Sequence, residues 1–295
     1  MRQQPKAGGG LLKNIARNRT NYLFLLPFGI VFLLFTVIPV VIAICLSFTH
    51  FNVLEPPTFN GWGNFQQLFF NDDLFITALT NTLTFAVILG PAGYILSLAF
   101  AWFINELGPK MRSFMTLLFY APSLANIYVI WKVIFSSDAY GFVNAWLTRL
   151  GFITSPVLWL QSKSTMVGVI ILIQIWMSMG NGFLVFLAGL QNVNAEYYEA
   201  AAVDGVSGRL QQLVYITLPQ MKPQLLFGCI NAITASFAVF DISAGFAGVP
   251  SPNYAADTIV SHLYDFAFIR FEMGYASAIA VVLFVLMFVF KKGVS

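Results

Sequence analysis

Six uninterrupted apolar runs, each long enough to cross a bilayer as a helix, limit this chain more than any other feature. They occupy about Tyr22 to Phe48, Thr77 to Ile104, Ser113 to Phe135, Ser164 to Leu190, Gln224 to Ala244 and Phe271 to Phe290. A hydrocarbon core of roughly 30 Å takes about 20 helical residues. A backbone in lipid must satisfy its own hydrogen bonds, which leaves helices or a closed barrel. Barrel strands alternate apolar and polar over about ten residues; these runs do not alternate. The expected fold is an all-α integral membrane protein with six transmembrane helices. Composition points the same way: 58% of the 295 residues are hydrophobic, more apolar surface than one soluble core can bury.

Basic residues set the expected orientation. With the N-terminus inside, the cytoplasmic segments hold Arg2, Lys6, Lys13, Arg17, Arg19, Lys110, Arg112, Arg209, Lys222, Lys291 and Lys292, eleven of the fifteen. The outer loops hold only Arg149, Lys163 and Arg270, while Lys132 lies near the outer end of the third span, where its stem can snorkel to water. Both termini are therefore expected in the cytoplasm, and the net charge of +3 is a topology signal with no bearing on nucleic acid. The first apolar run is too long for a signal peptide and reads as an uncleaved anchor. Residues 1–21 form an N-terminal tail, and 22–291 a single membrane domain. Cys45 and Cys229 fall within spans and read as small buried hydrophobes.

Several chemistries lack their residues. No G-x-x-x-x-G-K-[ST] phosphate loop, H-E-x-x-H pair or G-x-S-x-G elbow occurs, no carboxylate dyad lies inside a span, and His50 and His262 are far apart in outer segments. No enzymatic centre, catalytic residue or metal site is expected.

One polar island interrupts the apolar pattern, in the loop 191–223. Asn194 is a good N-cap, followed by helix formers through Ala202, and Gly205 supplies a left-handed stop. A second short helix is expected from near Ser207, with Leu210, Leu213, Val214 and Thr217 on one face and Pro219 as its end; Pro223 then opens the fifth span. Two amphipathic pieces joined by small residues suit a docking surface better than a plain connector.

Glu199-Ala200-Ala201, three residues, Gly205, then Ile216-x-Leu218-Pro219 resembles the E-A-A loop of the permease subunits of binding-protein-dependent ABC importers. Leu187-Ala-Gly-Leu-Gln-Asn-Val, Trp62-Gly-Asn-Phe, Ala78-Leu-Thr-Asn-Thr-Leu, Ala121-Pro-Ser-Leu and Gly141-Phe-Val-Asn resemble the sugar-permease, maltose-type branch. The resemblance implies a type I importer permease in the inner membrane of a bacterium or archaeon. Its implied partners are a second, non-identical permease, an ATPase dimer that binds ATP and Mg, and an extracytoplasmic solute-binding protein; the chain itself holds no cofactor. Carried over by position, Glu199, Ala200, Ala201, Asp204 and Gly205 shape the loop, and Arg209, Leu213, Ile216, Leu218 and Pro219 belong to the helix that enters the ATPase cleft. Asn194 stands where the family often has proline. Ten residues separate Gly205 from Ile216 where the family pattern has nine, and the extra one is placed in the turn near Ser207 and Gly208.

For the solute pathway, polar side chains in spans are the candidates because they are costly in lipid: Gln174, Asn181, Asn231, Ser236 and Asp241 foremost. Interhelical hydrogen bonding is the competing role for each. Gly90-Pro91 and Gly180 mark expected kinks, and Asp257 an expected cap of a short helix through Tyr264. A permease for a polyol, glycerol phosphate or amino acid is the main rival to a sugar permease. An ion-coupled secondary transporter would need charged residues or broken helices near the midplane in two related halves.

Overall fold

Between Phe75 and Ile104 the inward positions Ala78, Thr82, Phe85, Ala86, Leu89, Gly90, Gly93, Ser97 and Ala101 recur every three or four residues, a helical stripe made largely of small side chains. The computed structural model describes residues 19–121, 128–206 and 208–294; the side chains of 128, 179–181 and 294 lie outside that description. Among the described residues, five helices are long and apolar enough to cross a membrane.

Helix α1, Arg19–Leu46, contains a π turn at Leu33–Val37 and is largely exposed. A short hairpin follows, β1 Thr49–His50 against β2 Thr58–Phe59, then α2, Gly63–Phe70. Helix α3 runs from Asp73 to Asn105 and is one helix through Gly90-Pro91. Asp72 caps it by accepting the Phe75 amide at 2.9 Å. The region of the expected third span holds α4, Pro109–Tyr120, and α5, Tyr128–Ile134, neither long enough alone to cross a membrane; residues 122–127 between them lie outside the described residues. Helices α6, Phe142–Arg149, and α7, Lys163–Gln191, follow.

The elbow comprises α8, Ala195–Val203, and α9, which starts at Arg209, passes through a π turn at Leu213–Thr217 and ends at Gln220. Helix α10 spans Lys222–Phe237. The fifth span does not continue to Ala244 as one helix: it breaks at Ala238 to Phe240 and resumes as α11, Asp241–Ala247. Helix α12, Ile259–Tyr264, extends by a π turn to Ile269, and α13 covers Met273–Val294.

The centre is a three-helix packing of α3, α7 and α10. Close approach requires Gly228 of α10, where a Cβ would lie 2.5 Å from the Phe186 ring of α7. Near the elbow, Ala101, Ile104, Phe183, Phe186, Leu187, Leu190 and Met221 are all buried together.

Buried amides fasten the opposite end. Asn64 donates to the Ser47 and Thr49 carbonyls, both at 2.8 Å, holding α2 to the end of α1. Asn81 donates to the carbonyls of Tyr254 (3.2 Å) and Asp257 (3.0 Å). Asn144, fully buried, donates to the Ser136, Asp138 and Val157 carbonyls and accepts from the Val157 amide and the Trp159 indole. The break in the fifth span is filled by the segment before α12, where the Thr258 hydroxyl donates to the Val239 carbonyl at 3.0 Å. Thr258, not Asp257, caps α12, accepting the Ser261 amide; the Asp257 carboxylate instead accepts the Ser251 amide at 2.9 Å. Cys45 is exposed, contrary to the expected burial, and Cys229 is half-buried.

Candidate functional site

The elbow is built as its caps dictate at the first helix and departs from expectation at the second. Asn194 Oδ1 accepts the Glu196 amide at 3.1 Å, and Gly205 adopts φ +89°, a left-handed conformation that glycine tolerates without a Cβ penalty. Ser207 lies outside the described residues, and α9 begins at Arg209 with Gly208 before it. Helical conformation passes through Pro219, which therefore does not end the helix; the end comes at Met221 (φ −89°, ψ 7°). The π turn from Leu213 to Thr217 has the Leu218 amide donating to the Leu213 carbonyl, five residues back. Such a turn accommodates one residue more than an α-helical turn, a second place for the extra residue besides the turn at Gly208.

That geometry divides the expected apolar face. Leu213, Ile216 and Leu218 are half-buried and Thr217 is buried, whereas Leu210 and Val214 are exposed along with Val203 and Tyr215. Glu199, Ala200, Asp204, Arg209 and Pro219 are also exposed, and Ala201 is half-buried. Two contacts hold the elbow in shape: Tyr198 Oη and Thr217 Oγ1 lie 2.9 Å apart, and Arg209 pairs with Glu106 at the end of α3 at 3.2 Å. The second is a solvent-exposed pair worth about 0.2–1 kcal/mol. Met221 is fully buried and joins α9 to α10 directly.

Above the elbow, α3, α7 and α10 enclose an open cavity of about 510 Å³. Gln174, Asn231 and Ser236, three of the expected pathway residues, line it together. Asp241 does not; it is exposed at the start of α11, beyond the break. Asn181 belongs to α7, but its side chain lies outside the described residues. Gly180 likewise falls where side chains are not described, and α7 runs as one helix through it. Tyr94 and Ser97 also line the cavity and were not among the sequence candidates. The small-residue stripe Gly90, Gly93, Ser97, Ala101 was the signal that marks this face of α3. Of the aromatic residues on α7, Trp176 packs edge-on against Trp131 and Phe183 is buried against Phe119.

At the end opposite the elbow, Asp72 accepts from Tyr275 Oη at 2.6 Å and His262 Nε2 at 2.8 Å. Burial works to raise the Asp72 carboxyl, but the hydrogen bonds from Tyr275, the Phe75 amide and His262 outweigh it and hold the group below its ordinary value of 3.8. This cluster ties the start of α3 to α12 and α13.

Known proteins share both the sequence and the architecture. The family model described as binding-protein-dependent transport system inner membrane component matches residues 91–291. The probable ABC transporter permease protein YesP of Bacillus subtilis (strain 168) is 36% identical over 280 residues, which cover 91% of this chain and 87% of that protein. The arabinooligosaccharides transport system permease protein AraP of the same organism is 33% identical over 275 residues, covering 91% and 85%. Among solved structures, a chain of a bacterial ABC transporter involved in import of the acidic polysaccharide alginate superposes with a TM-score of 0.78 at 27% identity, over 97% of each chain. With this fold and a family match over about two thirds of its length, the chain belongs to the binding-protein-dependent transport system inner membrane components and is a multi-pass ABC transporter permease.

Proposed function

We propose that the chain carries a sugar or oligosaccharide, handed over by an extracytoplasmic binding protein, through the cavity between α3, α7 and α10. A separate ATPase dimer drives it by gripping the elbow. The observation that carries this reading is the elbow's outward surface: Val203, Leu210, Val214 and Tyr215 stand exposed on a segment outside the spans. Apolar side chains there gain from a protein partner that removes them from water. Glu199, Ala200, Ala201, Asp204 and Gly205 shape the turn. Arg209, Leu213, Ile216, Leu218 and Pro219 lie on the helix that enters the partner.

ATP and Mg are held by the partner, and the chain's own task is mechanical: the elbow must bind the two ATPase states with different affinity, since equal affinity would shift nothing. A second permease, different from this one, completes the pathway. The elbow and both termini face the cytoplasm, as the basic residues require. AraP supports an oligosaccharide as the solute.

The test is Gly205→Asp in the assembled importer. Asp at φ +89° is strained by about 1–2 kcal/mol and distorts the turn. Membrane insertion is expected to persist while ATP-driven uptake falls at least tenfold; a variant with full uptake would refute the docking role.

A further inference from the structure

The hydrogen-bonding character of the cavity narrows the solute beyond the reading above, on which this inference rests. Ser178, Thr234 and Ser236 each spend their hydroxyl proton on a carbonyl of their own helix, those of Ile175, Ile230 and Ile233, at 2.8, 2.9 and 2.8 Å. Tyr94 donates to the Leu225 carbonyl at 3.3 Å. These four oxygens can therefore offer only lone pairs to a solute. Gln174 and Asn231 differ: their amides make no hydrogen bond with described residues, and both line the cavity from α7 and α10. Each presents an N–H donor and a carbonyl acceptor. Among the described residues, no cationic side chain lines the cavity.

A lining in which four hydroxyls can only accept, with two amides and the Ser97 hydroxyl supplying the donors, suits groups that both give and take a hydrogen bond. Hydroxyls do; a carboxylate, which only accepts and is charged, meets facing lone pairs with no cation to offset them. We infer that this chain's side of the pathway selects neutral, hydroxyl-rich solutes against uronates, with Gln174 and Asn231 as the specificity-determining donors. The structural relative involved in import of an acidic polysaccharide makes the inference a discriminating one.

The experiment measures equilibrium binding of tritiated maltotriose and trigalacturonate to the purified importer complex without its binding protein, so that the cavity alone is read. Maltotriose is expected to bind at least tenfold more tightly than trigalacturonate and to lose at least tenfold in the double variant Gln174→Leu, Asn231→Leu. Asn231→Lys is expected to improve trigalacturonate binding. Equal or tighter binding of trigalacturonate by the unaltered complex, or unchanged maltotriose binding in the double variant, overturns the inference while leaving sugar import intact. Binding of glycerol phosphate or an amino acid with neither saccharide bound, or no binding at all, overturns the inference; the former also removes the sugar from the proposed function.

Discussion

The two ends of the molecule are held by different physics. At the end away from the elbow, Asn64, Asn81, Asn144 and the Asp72, His262, Tyr275 cluster fasten loops to helices through buried hydrogen bonds. At the elbow, the Tyr198–Thr217 hydrogen bond joins the two helices and an exposed ion pair ties them to α3, while large apolar side chains are left outside. A buried amide is expensive to leave unpaired, so each one specifies a single loop position. Exposed contacts specify little. The first end is finished within this chain; under the proposed function, another chain finishes the second.

Substitutions should therefore separate the ends by magnitude. The largest effect is expected for Asn144→Ala, which strands three carbonyls, an amide and an indole N–H: a loss of about 3–5 kcal/mol, read as a lower melting temperature of the purified protein. Next is Asp72→Asn, expected to cost about 2–3 kcal/mol at neutral pH. Its pH dependence has a defined sign. Because the folded carboxyl lies below 3.8, its stabilisation is complete above that value and is lost as pH falls through the lowered folded value. Melting curves from pH 6 to pH 3 should show the gap between Asp72 and the Asn variant constant at first and closing at the acid end. The smallest effect is expected at the elbow, where Arg209→Ala should change stability by less than about 1 kcal/mol. A melting shift as large as that of Asn144→Ala would erase the distinction between the two ends.

Local signals were legible in the sequence, and long-range ones were not. The second and fourth spans fall within a few residues of their apolar runs, and the first elbow helix begins and stops at Asn194 and Gly205 as their chemistry requires. Asn64, Asn81 and Asn144 sit in motifs that carried the family resemblance, yet what those amides hold appears only once distant carbonyls are in place. The break at Ala238 to Phe240 depends on Thr258, nineteen residues on, and no apolar pattern announces it. The π turn eluded periodicity because an assumed α spacing puts Leu210 and Thr217 on one face, where the structure exposes one and buries the other. For the cavity, polarity found Gln174, Asn231 and Ser236 but also selected Asp241, since composition cannot tell a wall from the far side of a break.

Met221 has a mechanical consequence. A junction one residue long, sealed inside the protein, has no slack to absorb a push. When Leu218–Gln220 tilts, the rod from Lys222 to Phe237 must swing with it and carry Asn231 and Ser236 along. On the proposed function, force applied at the elbow would arrive as a change in the width of the chamber.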